Sequence, residues 1–238
     1  MEIKVLGVCG TPVRRKVAKG ETNTEVLLRT VMDSAKEEGD VQTDILWLAE
    51  DGFNTGCEHC NWCLLKQSAE SRVCSKNDAM TNEYYAKVLA ADALVLATPV
   101  YIGRMSWLLA AFIDRLRALL EGKYYGFRGP LGGVLQDKVL AAAAVAWFRH
   151  GGVESALLTT LTCTSFIYGM IPVVASPIPN YGGFGYGAGG VSVGGPDELA
   201  NVKNDDYAMR SAKNLGKRVV KVTRIIKAGK EALAKVKA

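Results

Sequence analysis

"ADALVLATPVYIGRMSWLLAAFIDRL", residues 91–116, changes character halfway along. Ala91 to Val100 is a short apolar run of the kind that forms a buried parallel strand. Pro99 and Gly103 then shape a turn whose backbone can come close to a flat ligand, and Tyr101 can stack on one. From Ser106 the text becomes helical through "SWLLAAFIDRLRALL", residues 106–120. A strand, a glycine turn and a helix in this order are the repeating half of a β-α-β unit.

The alternation continues in both directions. Upstream, "IKVLGV" (3–8) reads as a first strand and "TNTEVLLRTVMDSAKEEG" (22–39) as a first helix. Thr22 with Glu25 has the form of a capping box, and Gly39 suits a helix stop. "VQTDILWL" (41–48) is a second strand, and "DAMTNEYYAKVLAA" (78–91) a second helix with Asp78 as its N-cap. Downstream come a fourth strand, "KVLAAAAVA" (138–146), a fourth helix, "VESALLTTLTCTSFIYGM" (153–170), and a fifth strand, "IPVVASP" (171–177). This order implies an α/β fold: a doubly wound, five-stranded parallel sheet with helices on both faces. No internal repeat or long linker divides the chain, so residues 1–238 are expected to form one domain. On it sit a cysteine-bearing insertion (56–78), a Gly-rich loop (180–196) and a C-terminal helix (204–236).

In such sheets ligands lie beyond the carboxyl ends of the strands. Three loops there carry chemistry. The first, "CGTPVRRKVAKGETNT", offers Thr11, Thr22, Asn23 and Thr24 beside Arg14, Arg15, Lys16 and Lys19, and it ends at a helix N-terminus. Hydroxyls, cations and free N–H groups together make a phosphate cradle, though not of Walker or G-x-G-x-x-G type. The second is the Pro99–Gly103 turn. The third, "WFRHGGVES", places His150, Gly151 and Gly152 before a helix.

Four of the six cysteines crowd into "GCEHCNWCLLKQSAESRVC", residues 56–74. Two of Cys57, Cys60 and Cys63 could form a redox disulfide, but a run of three cannot pair within itself; the N-terminus "MEIKVLGVCG" has no signal-peptide character, so a cytoplasmic location is expected, where crowded cysteines seldom form disulfides. Metal ligation or redox chemistry is the natural use of such a cluster. C-x2-C-x2-C directs three thiolates to three corners of a cubane, with Cys74 for the fourth iron, as ferredoxin runs begin. Zinc sites favour two separated pairs of ligands, but zinc and unligated thiols both remain open on the spacing alone.

The net charge is +5, much of it in the tail. Without interleaved aromatics this reads as the solvated face of a helix, and no nucleic-acid partner is expected. No stretch of eighteen apolar residues occurs, so no membrane span is expected either.

"GVCGTP…TNTEVLL", "ADALVLATPVYIGRMSWLLAAFIDRL" and "RHGGVES" resemble, in order and spacing, the flavodoxin-like NAD(P)H-dependent FMN reductase superfamily. The resemblance runs from Met1 to about Val219. Within it the compact cysteine cluster, and Asp78-Ala79-Met80 after it, are similar to the iron–sulfur flavoproteins. The resemblance implies a flavodoxin-like fold and FMN. Thr11, Val13, Asn23 and Thr24 would hold the phosphate, Pro99, Val100, Tyr101, Ile102 and Gly103 would line the isoalloxazine, and Gly151 and Gly152 would approach it from the other side. It implies a [4Fe–4S] cluster on Cys57, Cys60, Cys63 and Cys74, although the gap to Cys74 is longer than is usual in that family. It further implies electrons from ferredoxin or a similar donor passing through the cluster to FMN. Dioxygen, peroxide or quinone would be acceptors, in a homodimer or homotetramer. An NAD(P)H-dependent FMN or quinone reductase without a redox cluster is the alternative.

Overall fold

The computed structural model describes residues 2–147, 152–175, 187–191 and 201–237. Its sheet is built from β1 (Ile3–Cys9), β2 (Val41–Trp47), β3 (Ala93–Tyr101), β4 (Arg104–Met105), β5 (Val139–Ala146), β6 (Ile171–Val173) and β7 (Ala188–Val191). The parallel order is β2-β1-β3-β5-β6, with β4 antiparallel on the end of β3 and β7 also parallel to β5. The chain order reverses between β1 and β3, which is where ligands sit in a doubly wound sheet.

The expected α/β architecture is therefore present, with two differences. The fifth position is shared: β6 pairs with Val139–Ala141 and β7 with Ala143–Ala146. Ala188–Val191, expected within a Gly-rich loop, thus forms a strand. Its small residues fit where larger ones would collide, since a Cβ on Gly190 would meet Ala208 and Val202 at 2.6 Å. Residues 180–186 and 192–196 of that expected loop lie outside the described residues, as do Arg149, His150 and Gly151 of "RHGGVES".

Helices α1 (Arg15–Ala18), α2 (Asn23–Lys36), α3 (Trp62–Lys66), α4 (Tyr85–Ala90), α5 (Trp107–Arg115), α6 (Arg117–Leu120), α7 (Val153–Tyr168) and α8 (Asp206–Lys237) complete the fold. Side chains alternate along β5: Leu140, Ala142 and Ala144 face one core, Val139, Ala141 and Val145 the other. The first core is closed by α4, α5 and α7, the second by α2 and α8. The alanines of β5 are all buried. They are strand residues because both faces are covered, not because alanine favours strands.

Helix ends follow local chemistry. Thr22 accepts a hydrogen bond from the Glu25 N–H at 3.3 Å, the first half of the expected capping box. The second half is absent, because the Glu25 carboxylate is taken by Arg15 (2.8 Å) and Arg29 (3.0 Å). Asp78 accepts from the Thr81 N–H at 3.2 Å, as an N-cap should. The helix it starts opens with a π-turn at Met80–Tyr84 before becoming α4. The single helix expected over 106–120 is broken at Leu116 into α5 and α6.

Candidate functional site

Two loops are locked together at the carboxyl edge. The Gly10 N–H donates to Ala97 C=O at 2.8 Å. A Cβ on Gly10 would stand 2.7 Å from Leu109 Cβ and 2.9 Å from that same carbonyl oxygen, so only glycine lets β1 turn there. Ser106 is fully buried and sits between the strands: its N–H donates to Thr98 Oγ1 (2.9 Å), its hydroxyl donates to Gly10 C=O, and it accepts from the Leu109 N–H (3.1 Å) to cap α5. Residues after β1 and after β3 are thus fixed relative to one another by one side chain.

Beyond this lock, β3 continues into a hairpin. Val100 pairs with Met105 and Tyr101 with Arg104, leaving Ile102 and Gly103 as a two-residue turn with φ of 50° and 69°. Positive φ at both positions is the signature of a type I′ turn. Glycine adopts it freely, but a β-branched isoleucine there is strained. Ile102 is also 97% exposed. Pro99 and Val100 are half-buried and Tyr101 is 43% exposed, so the strand end offers a graded apolar surface. Pro99 pairs with Val145. Two residues beyond each stand Tyr101 and Trp147, the latter 63% exposed. Trp147 was quoted within the third loop but given no role by sequence reasoning; an aromatic at the end of a strand at the switch edge was the signal.

In the first loop Thr11 is buried and accepts weakly from the Val13 N–H at 3.4 Å. Thr24 is buried in the first turn of α2, and Asn23 accepts from the Val202 N–H at 2.7 Å, which ties this helix start to the turn before α8. Arg15 does not reach out with the other cations. It is held by Glu25 and lies over Trp47, 4.1 Å from the ring centre. Arg14, Lys16 and Lys19 remain exposed. Gly152 directly precedes α7. Of the residues expected at one ligand, the loops after β1 and β3 are brought together, and Gly152 lies at the start of the helix after neighbouring β5.

The cysteines lie in the segment between β2 and the Met80 π-turn. His59 and Asn61 adopt left-handed φ of 55° and 58°, which bends the chain on both sides of Cys60. Both residue types tolerate that conformation. As a result Cys57, Cys60, Cys63 and Cys74 all line one recess, with Tyr85, Arg115 and Arg117 among its other walls. None is in a disulfide. Among the described residues, no three His, Cys, Asp or Glu side chains are drawn around a single point as for one ion. Ser75 lies 3.3 Å from the Cys60 sulfur, and that contact, with backbone N–H groups, lowers the thiol's pKa; burial raises that of Cys63. Cys9, at the end of β1, is pushed up to about 12 by burial and is a packing residue.

Polar side chains hold this segment. Gln67 is buried and makes four hydrogen bonds: it donates to Val73 C=O (2.8 Å) and Ala118 C=O (3.0 Å), and accepts from the N–H groups of Tyr124 and Tyr125 (both 3.1 Å). Arg115 is only 2% exposed and grips Asp78 at 2.7 and 3.1 Å. It also donates to the Thr55 carbonyl at 3.3 Å. Burial works against the charge of Asp78, but the Arg115 bonds outweigh it and hold the carboxyl below its usual range. Arg117 donates to Glu121 (2.7 Å) and Asn61 (3.3 Å) and lies against Cys57. Sequence reasoning missed Gln67 and Arg117.

Comparison with known proteins identifies the family. Residues 3–179 match the family described as NADPH-dependent FMN reductase. An iron–sulfur flavoprotein of Methanocaldococcus jannaschii is 32% identical over 94% of this chain and 100% of its own length. Another, of Archaeoglobus fulgidus, is 32% identical over 90% of this chain and 94% of that one. The crystal structure of RosB with a bound formylriboflavin phosphate intermediate superposes with a TM-score of 0.68 at 15% identity, covering 98% of this chain and 86% of that one, and supports the flavodoxin-like fold. The chain belongs to the iron–sulfur flavoproteins of the NADPH-dependent FMN reductase family and is an FMN-dependent oxidoreductase.

Proposed function

We propose that this oxidoreductase carries, besides FMN, a [4Fe–4S] cluster on Cys57, Cys60, Cys63 and Cys74. In this reading it takes electrons from ferredoxin or a similar one-electron donor and delivers them to dioxygen, peroxide or a quinone. One observation carries the reading: four unpaired thiols line a single recess, in a chain similar over its length to iron–sulfur flavoproteins. The donor set fits a cluster, since thiolates are its usual ligands and four of them line the same recess. When bound, the cluster supplies one-electron transfer and the flavin exchanges one or two electrons, which suits coupling between unlike partners.

The residues of the chain supply the rest. The α2 N-terminus, with Thr11, Asn23 and Thr24, offers N–H and hydroxyl donors to the FMN phosphate, and exposed Arg14, Lys16 and Lys19 attract it. Val13 packs beside it. Pro99, Val100, Tyr101, Ile102 and Gly103 would line one side of the isoalloxazine, and Gly152, with Gly151 from outside the described residues, would approach it from the other. The exposed aromatic faces of Tyr101 and Trp147 fit a flat apolar ring. Homodimer or homotetramer assembly would cover exposed side chains such as Ile102 and Trp107. Free thiols suit a reducing cytoplasm.

The family's description favours a second reading, in which NADPH reduces FMN and the cysteines hold no redox cluster. The visible spectrum of anaerobically purified protein, before and after dithionite, separates the two. Broad brown absorbance over flavin bands, bleaching with them, with iron and acid-labile sulfide in equal amounts, supports the cluster. A plain flavin spectrum with rapid NADPH oxidation supports the alternative.

A further inference from the structure

Arg115 and Arg117 flank Leu116, where α5 gives way to α6 through a residue that is itself in the right-handed helical region. On an unbroken helix, residues 115 and 117 point in nearly opposite directions. Here α5 ends at Arg115 and α6 begins at Arg117, and both side chains line the cysteine recess. Each leaves one donor without a partner among the described residues. Arg115 uses both terminal nitrogens on Asp78, Thr55 and Thr81, but its Nε is buried and unbonded. Arg117 uses Nε and Nη2 on Glu121 and Asn61, but its Nη1 is buried and unbonded. Buried charged donors are seldom left open, because the desolvation they suffer is then uncompensated. Two of them on one recess call for an acceptor in it.

We propose that Arg117 and Arg115 are positioning residues that donate hydrogen bonds to sulfur atoms of the iron–sulfur group, and that Arg117 raises its reduction potential. The inference rests on the reading that the four cysteines hold such a group. Four thiolates around a lone zinc ion draw together to about 3.8 Å between sulfurs and offer only their own sulfurs as acceptors. A sulfide-containing group brings acceptors of its own and a negative charge that two guanidinium groups offset. A donor to sulfur favours the state with the extra electron, so one-electron reduction by an external donor becomes easier.

The test is a dithionite-poised redox titration of the holoprotein, followed by electron paramagnetic resonance of the cluster and by flavin absorbance. In Arg117→Met, iron, sulfide and FMN contents match the wild type, and the flavin midpoint is unmoved. The cluster's reduction equilibrium becomes at least tenfold less favourable, a downward shift of about 59 mV for a one-electron couple. Arg117→Lys, which keeps the charge and a donor, retains iron and restores most of the potential, even if the methionine variant sheds its iron. An unmoved cluster midpoint in both variants, or iron lost from both, overturns the proposal while the cluster reading stands. A wild type without iron and sulfide overturns both.

Discussion

The loops after β1 and β3 and the cysteine segment between β2 and α4 sit on the same fold but are held in different ways. The first pair is a continuation of the sheet. Gly10 and Ala97 are joined backbone to backbone, Ser106 fills the joint, and the leucines of α5 pack beneath. The cysteine segment has little regular structure. It is fixed by long side chains that stand in for backbone partners: Gln67 toward Val73, Ala118, Tyr124 and Tyr125, and Arg115 toward Asp78 and Thr55. A sheet extension distributes its stability over many small contacts. A polar tether concentrates it in a few residues, so each tether is costly to lose.

That difference is open to attack by substitution. Asp78→Asn is expected to cost most, about 3–5 kcal/mol, because it leaves the buried Arg115 charge without its carboxylate. Urea denaturation measures it, and a loss below about 1 kcal/mol would show the ion pair to be dispensable. The same pair sets an acid limit. Asp78 has a folded pKa below its unfolded value of about 3.9, so its contribution is present above that pH and is lost as pH falls through the lower folded value. Wild-type stability should therefore fall in that acid window, and the Asn variant should fall less steeply there.

Gln67→Ala comes next, at about 3 kcal/mol, since it strips partners from four backbone groups, two buried and two half-buried. Its effect should be local: faster hydrogen exchange at residues 118–125 and more reactive cysteine thiols, with FMN retained. Uniformly faster exchange across the sheet would contradict a local tether. Ser106→Ala removes a helix cap and the bond to Gly10, about 1–2 kcal/mol. Flavin affinity, followed by fluorescence quenching, should fall with it, since the loops after β1 and β3 lose their lock; unchanged affinity would separate the lock from the flavin. The smallest effect is a gain. Ile102→Gly relieves the left-handed isoleucine and should raise stability by about 1 kcal/mol while weakening flavin binding. If stability falls, the turn is not strained.

The two regions were also unequally legible. The strands, the Thr22 and Asp78 caps and the Pro99–Gly103 turn are visible in sequence because each rests on neighbours within a few residues. The type I′ geometry was less so, because Ile-Gly is not one of the pairs that announce it. β7 was hidden because "AGGV" has no periodicity, and it pairs only where β5 leaves an edge. The cysteine motif was plain, but what positions it was not. Gln67 reaches partners more than fifty residues away, and Arg117 matters only because the helix breaks before it. Neither long-range pairing nor a helix break without glycine or proline leaves a local mark.

The shared fifth position of the sheet has a further consequence. β6 and β7 run in the same direction along β5, so the connection between Val173 and Ala188 starts and ends on one line of the sheet. Its two stems are pinned side by side, so lengthening it leaves the pairing unchanged and adds only loop-closure entropy, about 0.6 kcal/mol for each doubling. It departs beside Ala141 and returns beside Ala143, on the half of β5 that runs toward Trp147. Evolution could thus rewrite the approach to this edge, one length and one composition at a time, without disturbing either core.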